Sequence, residues 1–385
     1  MTRPRHYLDH NAGAPVLPAA LAAALAAARA GGNASSVHTE GRAARARLET
    51  ARRAVANLAG AAPAGVIFTS GATEANVFAL SPAMRESGRE IRLDRLLIGA
   101  SEHPSVLAGG RFPAERVERI AVDADGVSHL DRLAERLAAL TAAGERALVS
   151  MQLANSETGV IQPIGEMAKI ARAHGAVIHC DAVQGAGRIR LDDPALDVDL
   201  MSLSAHKLGG LPGVGALICR NPEIVPTPLV TGGGQESNRR AGTQNTPGIA
   251  AFGVAAEVAR ARLRETADVA ERRDWFEARL CSISSNVKVL GIGAPRLANT
   301  SMVAWRGVRA ETAVIAFDLE GVAVSAGSAC SSGKVGASHV VEAMGVSAEF
   351  AEGAVRFSLG IDTSRDELAR VVEIAERVIG RLVRA

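Results

Sequence analysis

A lysine at the end of an apolar run is the first residue in this chain that needs a chemical explanation. Lys207 closes Ser204-Ala205-His206-Lys207, which continues the hydrophobic stretch Leu200-Met201-Ser202-Leu203. Placing an ammonium group just beyond a buried strand is costly unless it has a use. Burial also depresses the amine's pKa and makes it nucleophilic, which suits a Schiff base with an aldehyde cofactor. Asp181 ends another apolar run, Val177-Ile178-His179-Cys180-Asp181. A carboxylate there can pair with a protonated pyridine nitrogen, or simply cap a helix. Gly71-Ala72-Thr73 opens a helical pattern, so its backbone N–H groups can hold a phosphate. His103, in Ser101-Glu102-His103-Pro104, can stack on a flat ring. Taken singly, each has an ordinary structural explanation, a solvated loop lysine included; the set together points to chemistry.

The four cysteines divide by their neighbours. Cys180 and Cys219 sit inside apolar runs and read as buried filler, as does Cys281. Cys330 lies among Gly327, Ser328, Ala329, Ser331, Ser332 and Gly333, which have almost no hydrophobic character. The sequence therefore predicts a partly exposed loop from which a thiolate can reach a substrate. No pair of cysteines has CxxC spacing, so neither a zinc site nor a disulfide framework is suggested, and no metal is assigned.

These residues need elements to hold them. Short apolar runs at Ile67–Thr69, Arg95–Gly99, Ala147–Met151, Ala176–Asp181, Leu200–Ser204 and Gly215–Cys219 read as strands. Helical patterns such as Ile164 to His174 lie between them. This alternation predicts an α/β fold with a large, mostly parallel sheet covered by helices on both faces. Ligands bind beyond the carboxyl ends of the strands in such sheets. Thr73, His103, Asn155, Asp181, His206 and Lys207 all fall just there. A long helical pattern from Thr246 to about Leu280 is expected to lead into a second domain. The last helix is expected over Ser364 to Val383, with Ser364 and Glu367 spaced as a capping box.

The chain of 385 residues is longer than one core usually serves. The expected division is a large domain over 15–257 and a smaller α/β C-terminal domain over 258–385, with residues 1–14 packed on the latter. Hydrophobic residues make up 48% and aromatics only 3%, so an aliphatic core is expected. The net charge is +2, from 43 basic and 41 acidic residues, which argues against nucleic acid as the main partner. The Arg42 to Arg53 run reads as a solvated helix face with Glu partners. No apolar run is long enough to span a bilayer, and Met1 to His6 has no signal core. A cytoplasmic location is expected.

In their order, the motifs resemble one family. Gly71-Ala72-Thr73-Glu74-Ala75-Asn76, Glu102-His103, Asn155-Ser156-Glu157-Thr158-Gly159, Asp181-Ala182-Val183-Gln184 and Ser204-Ala205-His206-Lys207 look like the cysteine desulfurases. These belong to the class V aminotransferase-like enzymes, which depend on pyridoxal 5'-phosphate. The likeness continues through Gly232-Gly233-Gly234-Gln235-Glu236, Arg240-Ala241-Gly242-Thr243 and Gly327-Ser328-Ala329-Cys330-Ser331-Ser332. It spans nearly the whole chain, from Tyr7-Leu8-Asp9 to Val355-Arg356-Phe357-Ser358.

The resemblance implies a pyridoxal-phosphate fold of type I and a set of roles. Lys207 would carry the cofactor and Asp181 pair with its ring nitrogen. Gln184 and Asn155 would bond or orient the ring oxygen. His103 would stack on the ring and move protons. Ala72, Thr73, Ser204 and His206 would hold the phosphate, and Thr243 would reach the phosphate of a neighbouring subunit in a homodimer. Asn33 and Arg356 would anchor the substrate carboxylate. Cys330 would take sulfur from L-cysteine, release alanine and pass the persulfide to an acceptor such as an iron–sulfur scaffold. A selenocysteine lyase or another class V enzyme would share most of these residues; a scaffold protein without chemistry would not need Lys207, Asp181, His103, Cys330 and Arg356 together. The sequence departs from the family's usual pattern at Gly13-Ala14, Ala34, Leu211-Pro212 and Ser237, none of which removes a catalytic group.

Overall fold

Seven strands make the central sheet of the computed structural model, which describes residues 5–327 and 338–383. Cys330 lies outside the described residues. The strands are β1 (Val66–Thr69), β2 (Arg95–Gly99), β3 (Val117–Ile120), β4 (Ala147–Gln152), β5 (Val177–Asp181), β6 (Leu200–Ser204) and β7 (Gly215–Cys219). Their order across the sheet is β3-β2-β4-β5-β6-β7-β1. All neighbours run parallel except β7, which is antiparallel to both β1 and β6. Six strands match the apolar runs of the sequence; β3 was missed because its Val-Glu-Arg-Ile is half polar and only its last residue is buried.

The antiparallel β7 has a consequence for the site. It brings Gly215, at its start, to the edge where the parallel strands end. Five of the six β4 residues and four of the five β5 residues are at most 2% exposed, as the inner strands of a sheet covered on both faces should be.

The second body is a four-stranded antiparallel sheet ordered 287–289, 300–305, 354–358, 325–326. The main core is aliphatic, as expected, and the small core adds an aromatic cluster to its aliphatic residues. Phe357 has Phe276, Phe317 and Trp305 around it, with ring centroids 5.3, 5.7 and 6.3 Å away in edge-on geometry. The few aromatics are thus concentrated where a small core needs much buried area per residue. Leu8 is fully buried in this same cluster, and His6–Tyr7 pairs in parallel with Val322–Ala323. Ser364 caps the Arg365–Leu382 helix by accepting from the Glu367 N–H, and Leu368, Val371, Ala375 and Val378 form its buried stripe.

The long pattern after Thr246 is not one helix. It divides into Thr246–Arg262 and Thr266–Ser282 around a tight turn at Leu263–Glu265. The first half packs on the helices Pro18–Ala30 and Thr39–Ala59, the second on the 300–305 strand and the last helix. No described helix is long and apolar enough to cross a membrane.

His179 stitches the middle of the sheet. It is fully buried, with Ser150 Oγ 2.8 Å from Nδ1 and Ser202 Oγ 2.9 Å from Nε2. Burial pushes its pKa down from 6.5 to about 3, so the folded protein keeps it neutral. The unfolded chain binds this proton near pH 6.5, so below that pH the unfolded state holds more protons and stability falls. Thermal unfolding should therefore show a declining Tm from about pH 6.5 toward pH 3, with a shallower decline in His179→Gln. An equal pH slope in the two proteins would exclude His179 as a source of acid lability.

Candidate active site

A cavity of about 500 Å³ opens at the carboxyl edge of the sheet. Its walls draw on the turn after β1 (Gly71, Thr73), the turn after β2 (His103), the end of β5 (Asp181) and the turn after β6 (His206, Lys207). Arg356 enters it from the small sheet. Residues far apart in sequence meet because parallel strands all deliver their carboxyl ends to one edge.

At one end of the cavity the Ala72–Ala79 helix points its first N–H groups inward. Beyond Gly71, on the side where a side chain would project, the space is open. Gly215 makes this approach possible: a Cβ there would lie 2.5 Å from the Gly71 carbonyl carbon and 2.8 Å from its Cα. Ser204 Oγ lies 2.8 Å from His206 Nδ1. Burial first, and the Lys207 charge second, push His206 down to about 4, so it is neutral at pH 7. Backbone donors, Thr73 and Ser204 hydroxyls and a neutral imidazole form a pocket suited to an anion.

The other end is built around Asp181. Asn76 donates to Asp181 Oδ2 at 2.8 Å and to Ser105 Oγ at 2.9 Å. Ser105 Oγ lies 2.8 Å from His103 Nδ1, which also accepts from the Ser105 N–H. Nδ1 is thereby an acceptor, and the neutral ring carries its proton on Nε2. Burial, more than the nearby Lys207 and His339 charges, lowers the His103 pKa, while Asp181 opposes that. Behind Asp181, buried Glu102 accepts from the Gln152 N–H at 2.7 Å, and burial raises its pKa well above the carboxylate range.

Lys207 Nζ donates to the carbonyls of Asn11 at 2.5 Å and Ala12 at 2.9 Å. Arg356, 2% exposed, spans Ser156 O at 3.0 Å and Asp9 Oδ1 at 2.7 Å, and its buried Nε has no partner among the described residues. Gln184 also lines the cavity; its Nε2 donates to Asn11 O at 3.1 Å and its Oε1 accepts from Arg188 at 2.5 Å.

Three expected residues are not in the cavity wall. Asn155 is buried, with Oδ1 accepting from the Glu157 and Thr158 N–H groups and Nδ2 donating to Ser101 O. Its amide braces the loop behind the site. Asn33 is exposed and spends its Oδ1 on the Ser35 N–H, apart from Arg356's cavity. Thr243 is exposed and outside the cavity as well. Two residues were given no role from sequence: Asn76, which holds Asp181 and stood in a quoted motif, and Asn11, whose carbonyl meets both Lys207 and Gln184. Each is 1% exposed, and neither's burial could be told from its own polar type. The filler reading of Cys180 and Cys219 holds: both are buried, and burial raises Cys219 to about 11.

With this geometry in hand, the comparisons are unambiguous. The Aminotransferase class-V profile matches residues 6–371, and the chain belongs to that family. A relative named cysteine desulfurase, from Rhodobacter capsulatus, is 40% identical over 99% of this chain and 98% of its own length. A solved NifS-like protein from Rickettsia africae superposes with a TM-score of 0.84 at 30% identity, covering 98% of this chain and 99% of that one. Another, titled SspA in complex with cysteine, gives 0.73 at 27% identity over 93% and 99%. The fold is the pyridoxal-phosphate fold of type I, and the family depends on that cofactor.

The cavity fits the group. Its anion end, its buried carboxylate and its inward lysine match phosphate, ring nitrogen and aldehyde in kind and in order. Ala72 and Thr73 with Ser204 and His206 would hold the phosphate, and Asp181, steadied by Asn76, would face the ring nitrogen. Gly215→Ala tests the anion end, because a methyl group there must displace the Gly71 backbone. Equilibrium dialysis should show cofactor affinity reduced by about tenfold or more, as loss of one charge-assisted bond implies. Unchanged affinity would mean that the β7 contact does not shape this end.

Proposed function

We propose that this chain removes sulfur from L-cysteine, with Lys207 carrying pyridoxal phosphate and Cys330 receiving the sulfur. The single observation behind the assignment of roles is that Lys207, Asp181, His103 and Arg356 converge on one cavity. Bound there, the cofactor supplies an electron sink when the substrate's Cα–H bond breaks. The remaining work falls to the chain. Arg356, fixed by Asp9 and Ser156, holds the substrate carboxylate with its guanidinium. His103 would lie against the ring and, with its pKa lowered below 6.5 by burial, can take or give a proton. Lys207 is the second base. Cys330 thiolate attacks the substrate sulfur; the S–S bond forms, the C–S bond breaks with its electron pair passing to Cβ, Cβ takes a proton and alanine leaves. The persulfide then passes to an acceptor protein, with iron–sulfur cluster assembly as the pathway. Exposed Thr243 serves the partner's phosphate in a homodimer, and the enzyme works in the cytoplasm. A solved relative titled as a complex with cysteine supports the substrate.

Two substitutions separate the halves of this mechanism. Lys207→Ala should lose the cofactor's yellow absorbance and all turnover. Cys330→Ser should keep the colour and still change spectrum on addition of cysteine, yet form no persulfide, because a hydroxyl is a far weaker nucleophile toward sulfur. Labelled sulfur followed by peptide mapping should place the label on Cys330; a label on Cys180, Cys219 or Cys281 would refute the assignment. Arg356→Ala should raise the KM for cysteine steeply. The lost charge-assisted bond is worth about 1.5–3 kcal/mol, roughly ten- to a hundredfold. An unchanged KM would assign the carboxylate to another residue.

A further inference from the structure

Between Gly234 and Arg239 the backbone makes a turn that L-residues rarely make. Glu236, Ser237 and Asn238 have φ of 48°, 57° and 63°, three consecutive left-handed residues without a glycine. Of the three types only asparagine enters this region readily. Such conformations persist where the surroundings over-determine them, and they cluster at functional sites.

The surroundings here are the Glu236 carboxylate, 5% exposed. It accepts from Arg52 Nη1 at 2.7 Å and Nη2 at 3.0 Å, from the Phe68 N–H at 3.1 Å and from Gln244 Nε2 at 3.2 Å. Arg52 also lies 4.8 Å over the Phe68 ring. The turn is thus fastened to β1, the strand that leads into Gly71-Ala72-Thr73. Shortly beyond it the chain presents Thr243, exposed and outside its own cavity.

The geometry points to Glu236 as a positioning residue that acts across the subunit boundary: its carboxylate holds the left-handed turn, and the turn aims Thr243 at the partner's phosphate end. This rests on the reading that Thr243 serves the partner. A rival route exists within one subunit, because Arg240 binds Glu74 at 2.9 and 3.1 Å beside the subunit's own anion end. The two routes make opposite demands on mixed dimers.

The experiment is subunit complementation. Glu236→Gln dimers should turn over at least about tenfold more slowly and retain the cofactor less well on dilution, as loss of a buried charge contact implies. Lys207→Ala dimers should be inactive. In a mixed dimer, the Lys207 of the Glu236→Gln subunit meets a normal turn from its Lys207→Ala partner, so one site is whole. Random re-pairing makes about half the dimers mixed, so activity should recover to about a quarter of the wild-type value. No recovery would mean that Glu236 acts within its own subunit, and the proposal falls; so would full activity of Glu236→Gln homodimers.

Thr243→Ala mixed with Lys207→Ala is the control for the underlying reading. If that pair fails to complement, it is the Thr243 assignment that fails. If it complements while Glu236→Gln does not, only the role given to Glu236 fails. Ser237→Val covers the case in which Glu236→Gln does not fold: the residue is exposed, the carboxylate stays, and a β-branched side chain opposes positive φ. It should complement in the same way. Full activity of Ser237→Val homodimers would show that the turn's direction is immaterial and overturn the proposal.

Discussion

Everything at the carboxyl edge of the sheet depends on how charge is kept out of water there. Lys207 is held by two main-chain carbonyls, those of Asn11 and Ala12. The fixed positions of these carbonyls set the direction in which the amine points. The same Asn11 carbonyl takes Gln184, and its side chain ties Thr300 and Ser156 O. One short segment therefore sets the amine's direction and the floor beneath Arg356.

That segment is not free to choose its position. Leu8 is buried in the aromatic core of the small sheet, and the Ser358 N–H donates to Leu8 O at 2.8 Å. Arg356 lies on the same strand as Phe357, the centre of that core. Packing around Phe357 thus fixes both the carbonyls that meet Lys207 and the guanidinium that faces them. The buried acids behind the cavity follow the same electrostatic rule. Burial holds Glu102 well above the carboxylate range and raises Glu157 to about 7, with Ser338 donating to it at 2.5 Å.

The sequence made the sheet legible because its inner strands are apolar on both faces and end in polar residues with no packing reason to be there. Asp181, His206 and Lys207 were found in this way. The edge strand β3 was not, since half its residues are polar and only Ile120 is buried. The Thr246–Ser282 stretch misled for a related reason: its halves are both helical, and only their different packing partners reveal the turn at Leu263–Glu265. Asn33 was assigned by motif alone; its Oδ1 accepts from the Ser35 N–H, outside the cavity that Arg356 lines. Arg52 was read as part of a solvated charged face. Its partner Glu236 is 184 positions away, and no local period reports a contact at that range.

Arg52 and Glu236 also show what balances a strained backbone. Left-handed L-residues cost about 1–2 kcal/mol each, asparagine less, so this turn stores a few kcal/mol. Removing one partner of a buried ion pair costs about 3–5 kcal/mol, because the other charge is left uncompensated. The two quantities are of similar size. The turn is therefore the stable path for this segment while the carboxylate is bound, and an unstrained path would leave buried Arg52 with only the partly exposed Glu49, 3.1 Å from its Nε, as counter-charge. Strain and ion pair are in that sense one device: neither is favourable alone, and together they fix a single direction for the chain that carries Thr243.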